Sequence, residues 1–80
     1  MSKNKKNIEK KIIEVASKVF KMKKSNLSLS TSSKNIPQWD SLNNVNLMIE
    51  LKKQFKINFK IEEIAEINSL KQWHSLIIKK

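Results

Sequence analysis

Apolar residues recur at helical spacing along most of the chain. Between positions 7 and 22, Ile8, Ile12, Ile13, Ala16, Val19 and Phe20 follow one another with Lys and Glu between them. Their steps of three, four and seven are those of a helix with one buried face. Val15 falls at the edge of that stripe, and residues 1–6 offer no apolar anchor, so a frayed tail is expected there. The rhythm then stops. Positions 23–39 hold Ser25, Ser28, Ser30, Thr31, Ser32 and Ser33 and run out at Ile36-Pro37, which reads as a loop. A loop this long in a small domain is either functional or pinned by its own side chains, and Leu27, Leu29 and Ile36 are the available pins. Pro37 disfavours helical geometry at Ile36, so the next helix opens only beyond it.

That second helix is predicted from Asp40, a favoured N-cap residue, to about Phe55. Its apolar set of Leu42, Val45, Leu47, Met48, Ile49, Leu51 and Phe55 is broader than one buried stripe requires. Leu47, Leu51 and Phe55 are the core candidates, with some of Val45, Met48 and Ile49 left for a partner to cover. Asn58 turns the chain, and Ile57 and Phe59 tuck the turn against the core. A short helix over 61–67 follows. Ser69 with Gln72 three residues on is a capping-box pattern, opening a last helix whose buried stripe is Leu70, Trp73 and Ile77. No strand alternation or internal repeat is present. The expected class is all-α: a small four-helix bundle of three longer helices and one short one with a long first loop, in a single domain over 1–80.

Composition narrows what such a bundle can do. A domain of 80 residues buries only about 60% of the surface its unfolded chain exposes, which leaves little room for an enclosed active site. There is no cysteine, hence no disulfide framework and no thiolate metal site. The basic start is not followed by a continuous apolar run, because Glu9, Lys10, Lys11 and Glu14 interrupt it, and no stretch approaches membrane-spanning length. A cytoplasmic, membrane-free, monomeric protein is expected. The net charge is +10, and residues 1–24 hold nine Lys against Glu9 and Glu14. Such a field attracts nucleic acid, anionic lipid or an acidic protein surface. It also fits compositional drift: every basic residue is Lys, Gly is absent, and Ile and Asn abound.

The segment Trp39-Asp40-Ser41-Leu42 sets a hydroxyl at the first turn of a helix, just after a long loop, with Leu42 expected to anchor the turn inward while Ser41 points out. A helix N-terminus offers unpaired backbone N–H groups and the positive end of the dipole, so a phosphate joined to Ser41 would be stabilised there. From Trp39 through Asn43-Asn44-Val45-Asn46-Leu47-Met48-Ile49-Glu50-Leu51-Lys52-Lys53-Gln54-Phe55 the sequence resembles the acyl carrier protein family, in which Asp-Ser-Leu opens the second helix. The likeness extends through Ile57, Phe59 and Ile61–Ile67 to Ser69-Leu70, about half the chain.

The resemblance implies a carrier and not an enzyme. It makes Ser41 the attachment point for 4'-phosphopantetheine, transferred from coenzyme A by a phosphopantetheinyl transferase, with acyl or aminoacyl groups then borne as thioesters. Asp40 would lie beside the transferase's metal ion, a role compatible with capping the helix. Leu42, Val45 and Ile49 match positions that meet partner enzymes, although Val45 and Ile49 fit an ordinary core equally well. Trp39 is either a loop anchor or an exposed contact near the arm. The chain departs from the family in two respects. The frequent Gly before the motif is replaced by Gln38-Trp39, and the second helix has Asn43, Asn46, Lys52 and Lys53 with Glu50 its only acid. Ligases and acceptor enzymes with less basic docking faces are therefore expected, in a dedicated pathway for surface polysaccharide, specialised metabolite or lipid and not in bulk fatty acid synthesis.

Other functions fit less well. Ser41, Asp40 and His74 supply the residue types of a hydrolytic triad, but Asp40 adjoins the serine and no Gly permits a strained nucleophile elbow. His74 has no Cys or second His with which to bind a metal. A small basic helical module that binds nucleic acid is the alternative reading. Against it, Arg, the usual reader of guanine, is absent, and no short helix-turn-helix spacing precedes the second long helix.

Overall fold

The computed structural model describes residues 5–80. Four α-helices follow one another: α1 (Lys5–Phe20), α2 (Ser41–Phe55), α3 (Ile61–Ile64) and α4 (Leu70–Lys79), with a single 3-10 turn at Lys24–Asn26 inside the first connection. The class is all-α with three longer helices and one short one, as the periodicity predicts. Among the described residues no helix is long and apolar enough to cross a membrane. Of the tail expected over 1–6, positions 1–4 lie outside the described residues, while α1 already includes Lys5, two residues ahead of the expected start.

The core is one cluster drawn from every helix and from the loop. From α1 come Ile8, Ile12, Val15, Ala16 and Phe20, all buried. Val15 is not at an edge, because α1 packs against both α2 and α4 and so buries a wider face than a single seam requires. α2 contributes Leu47 and Leu51, and α4 contributes Leu70, Trp73 and Ile77, each fully buried. Phe55, expected beside them, is only partly buried and packs on the outside of the cluster.

With no glycine in the chain, Lys must serve where helices turn into the left-handed region. Lys21 (φ 57°) ends α1 and Lys56 (φ 55°) ends α2, a geometry that costs a non-glycine residue roughly 1–2 kcal/mol. At the end of α1 the Met22 amide donates to Ser17 O (3.1 Å), a Schellman closure that satisfies a carbonyl of the last turn.

The long first connection is held mainly by its backbone. Leu27 and Ile36 are buried and Leu29 is partly so, but the tighter restraint is a seam with the start of α4. There Ser33 N donates to Asn68 O (2.8 Å), Leu70 N to Thr31 O (3.0 Å) and Lys71 N to Leu29 O (2.9 Å). The loop carbonyls thereby satisfy the first-turn donors that a helix leaves without internal partners. Gln72 N is capped by Ser69 Oγ (3.2 Å), so the Ser69 half of the expected capping box is present, while Gln72 Oε1 accepts from Asn68 N (2.7 Å) and not from Ser69 N.

α3 is shorter than the expected 61–67. It stops at Ile64, where Ile67 N folds back onto the Ile64 carbonyl (3.0 Å). That carbonyl also accepts from the Asn44 side chain (3.0 Å), a tertiary bond that fixes the chain's exit after one turn.

Candidate functional site

The entry to α2 is built from the loop outward. Pro37 ends the loop, and Trp39 N donates to Ile36 O (3.1 Å) to form a tight turn. Gln38 reaches back with Nε2 to the Phe20 carbonyl (3.0 Å), tying the turn to the end of α1. Its own carbonyl accepts from Asn43 Nδ2 (2.6 Å). Trp39 packs on Phe20 with ring centroids 5.0 Å apart and is 7% exposed. It is therefore an anchor and does not belong with the partner-contact residues: a large aromatic side chain at this turn gains more from Phe20 and the core than from solvent.

Asp40 adopts extended geometry and caps α2, its carboxylate accepting from Asn43 N (2.8 Å) while its carbonyl accepts from Asn44 N (2.9 Å). Ser41 is the first residue of the helix and is exposed. Among the described residues no hydrogen bond engages its hydroxyl. With Asn43 and Asn44 taken by Asp40, the amides of Ser41 and Leu42 are the first-turn donors left to an outside acceptor. Beside Ser41 lies a shallow hollow of about 260 Å³, bounded by Asp40 and Asn44, by Ser33 from the loop, and by Ala65, Ile67 and Asn68 beyond α3.

Leu42 does not anchor the turn inward. It is 68% exposed, because Trp39 and Asn44 already fill the interior on either side of it. One and two turns on, Val45 is half-buried and Ile49 is 40% exposed. At spacings of three and seven from Leu42, the three share one face of α2. Ile61, the first residue of α3, is 61% exposed and was not singled out by the sequence. A groove of about 380 Å³ between α1 and α2 sets Lys18 and Val19 beside Asn46, Ile49 and Glu50. Glu50 is paired with Lys53 at 3.8 Å on the surface, so the single acid of α2 is partly neutralised in place. His74 is half-buried on α4.

Asn44 is the residue that sequence reasoning missed. It is 8% exposed, and its Oδ1 accepts the indole N–H of both Trp39 and Trp73, each at 3.3 Å. Its Nδ2 donates to the Ile64 carbonyl. One side chain thus joins the loop, α2, α3 and α4 a single turn from Ser41. A signal was present: Asn44 precedes Leu47 by three and Leu51 by seven, on the buried stripe of α2.

No protein-family model matches the chain, and no curated protein does. A solved structure does: the solution structure of an apo doublet acyl carrier protein from prodigiosin biosynthesis superposes with a TM-score of 0.76 at 22% identity, over 92% of this chain and 36% of that one. The fold is therefore similar to that of an acyl carrier protein, and this chain spans about a third of the doublet's length.

Proposed function

We propose that the protein is a carrier whose Ser41 bears 4'-phosphopantetheine. The observation that carries this reading is the exposed Ser41 hydroxyl at the first position of α2, with Asp40 capping the turn behind it. The Asp40-Ser41-Leu42 run resembles the attachment motif of a family whose fold this chain shares. The residues present fit the group: the hydroxyl is open, and the Ser41 and Leu42 amides at the positive end of a 15-residue helix suit a phosphate ester. Bound there, the arm would supply a terminal thiol for thioester formation.

Ser41 Oγ would form the new bond to the pantetheine-side phosphorus of the coenzyme A diphosphate as the bond from that phosphorus to adenosine bisphosphate breaks, its proton passing to a base on the transferase. Asp40 caps the turn, and its carboxylate would lie beside the metal ion of the transferase. Leu42, Val45 and Ile49 form the face that partner enzymes cover. With Lys52 and Lys53 at the far end of α2 and Lys18 across the groove, the favoured ligases and acceptor enzymes have neutral or acidic docking faces. That points to a dedicated pathway and away from bulk fatty acid synthesis.

The test is incubation with coenzyme A, magnesium and a broad-specificity phosphopantetheinyl transferase, followed by intact mass measurement. The wild-type chain gains one phosphopantetheinyl group and Ser41→Ala gains none. An unmodified wild-type chain, beside a control carrier that is modified, overturns the reading.

A further inference from the structure

Asn44 lines the hollow beside Ser41, and two buried indoles meet it. Trp73 is fully buried, with Phe59 meeting it edge-on at 5.3 Å, and Trp39 packs against Phe20 with its ring tilted by 35°. Both indole N–H groups end on the single oxygen Asn44 Oδ1. The Asn44 amide nitrogen closes the set by donating to Ile64 O. Among the described residues every buried side-chain polar atom has a partner, so this cluster is complete as it stands.

A hydrocarbon chain entering the interior from Ser41 through the hollow would press on Asn44, which lines it. It would lift Asn44 off two indole donors and off the Ile64 carbonyl while offering no acceptor or donor in exchange. Buried polar groups left unpaired in this way are costly. The lining is also mostly polar: Ser33, Asp40, Ser41, Asn44 and Asn68 contribute to it, with Trp39, Ala65 and Ile67 the apolar contributions. A small polar group at the end of the arm meets no such obstacle, since it is stable in water and can settle against the serine and asparagine side chains of the rim.

From this we infer that the group carried on Ser41 is a small, polar acyl group, of amino-acyl or hydroxy-acyl type, held in solvent, and that the protein does not enclose a long aliphatic chain. This rests on the carrier reading, and the experiment separates the two. Acetyl, glycyl and decanoyl arms are attached to the full chain from the corresponding coenzyme A thioesters. Hydroxylamine cleavage of each is followed by intact mass against the same free thioester, and the two indole N–H resonances are recorded by NMR. The expected result is the same cleavage rate relative to the free thioester for all three arms, with both indole resonances unmoved by chain length. Burying as few as two methylenes would favour an enclosed state roughly tenfold. Decanoyl cleavage slowed to that degree relative to acetyl, or indole resonances that shift as the chain lengthens, overturns the inference and leaves the carrier reading intact. Failure of every thioester to load removes the carrier reading, and this inference falls with it.

Discussion

Replacing Asn44 by Leu tests whether one polar side chain ties the four segments around Ser41 together. The two side chains are similar in size, so the substitution removes hydrogen bonds with little change in volume. It leaves the Trp39 and Trp73 indole N–H groups without their acceptor and removes one of the two donors to the Ile64 carbonyl, which keeps Ile67 N. The indole bonds are long at 3.3 Å, which sets each loss near the low end for a buried unsatisfied group, about 1 kcal/mol, and the lost bond to Ile64 O adds about 1 kcal/mol, about 3 kcal/mol in all. The apolar Leu contributes about 2 kcal/mol in the other direction through burial. The net destabilisation is then about 1 kcal/mol, set against the roughly 4–12 kcal/mol available to a domain of this size. It corresponds to a fall in Tm of about 4–8 °C. Urea unfolding followed by tryptophan emission and by far-UV circular dichroism measures it, with the exposed Asn58→Leu as the surface comparator. A loss within about 0.5 kcal/mol, the range of ordinary surface substitutions, would refute the role assigned to Asn44.

Other expectations concern the helix ends and the charge. Glu63 accepts from Lys60 N (2.8 Å) and from Lys80 Nζ at both oxygens (2.9 Å); the backbone bond first, then the Lys80 bond, holds its carboxyl below the usual value. The resulting stabilisation of α3 is complete above the ordinary carboxylate pKa and is lost as pH falls through the lowered folded value. Amide protection factors across α3, taken relative to the unstructured exchange rate at each pH, should therefore fall on acidification, and Glu63→Gln should flatten that dependence; an unchanged profile in the variant counts against it. Lys56→Gly relieves the left-handed geometry at the end of α2 (φ 55°) and should raise stability by about 0.5–1 kcal/mol in the same urea assay. The Lys field should give only weak DNA binding that disappears with added salt in a gel-shift titration; tight, sequence-dependent binding at physiological salt would favour the nucleic-acid reading instead.

What could be read from the chain was local. The cap on α2 and the cap on α4 each depend on residues three apart, Asp40 with Asn43 and Ser69 with Gln72, and such pairs are visible before any tertiary structure is known. The buried stripe of α4 was legible for the same reason, and that of α1 in part, since Ile13 and Val19 turn out only partly buried. What escaped depends on contacts between segments. Val15 is buried because α1 has two neighbours, and α3 ends early because the Ile64 carbonyl is shared with Asn44. Leu42 points outward because Trp39, from the loop, occupies the interior that a lone helix pattern would assign to it. At the site itself, Ser41 and Asp40 could be picked out by their position at a helix start. Asn44 carried only the hint of its register with Leu47 and Leu51, since a polar residue in a helix is ordinarily taken for surface unless its partners, here the nearby Trp39 and the distant Trp73, are known.

The central claim is that Ser41 is a site of covalent loading, and the most direct measurement is peptide mapping of the protein isolated from its own host. Tandem mass spectra of the peptide containing Ser41 should show that residue bearing phosphopantetheine, with the arm lost on fragmentation. A Ser41 peptide found wholly unmodified, in cells whose other carrier proteins are loaded, would contradict the account.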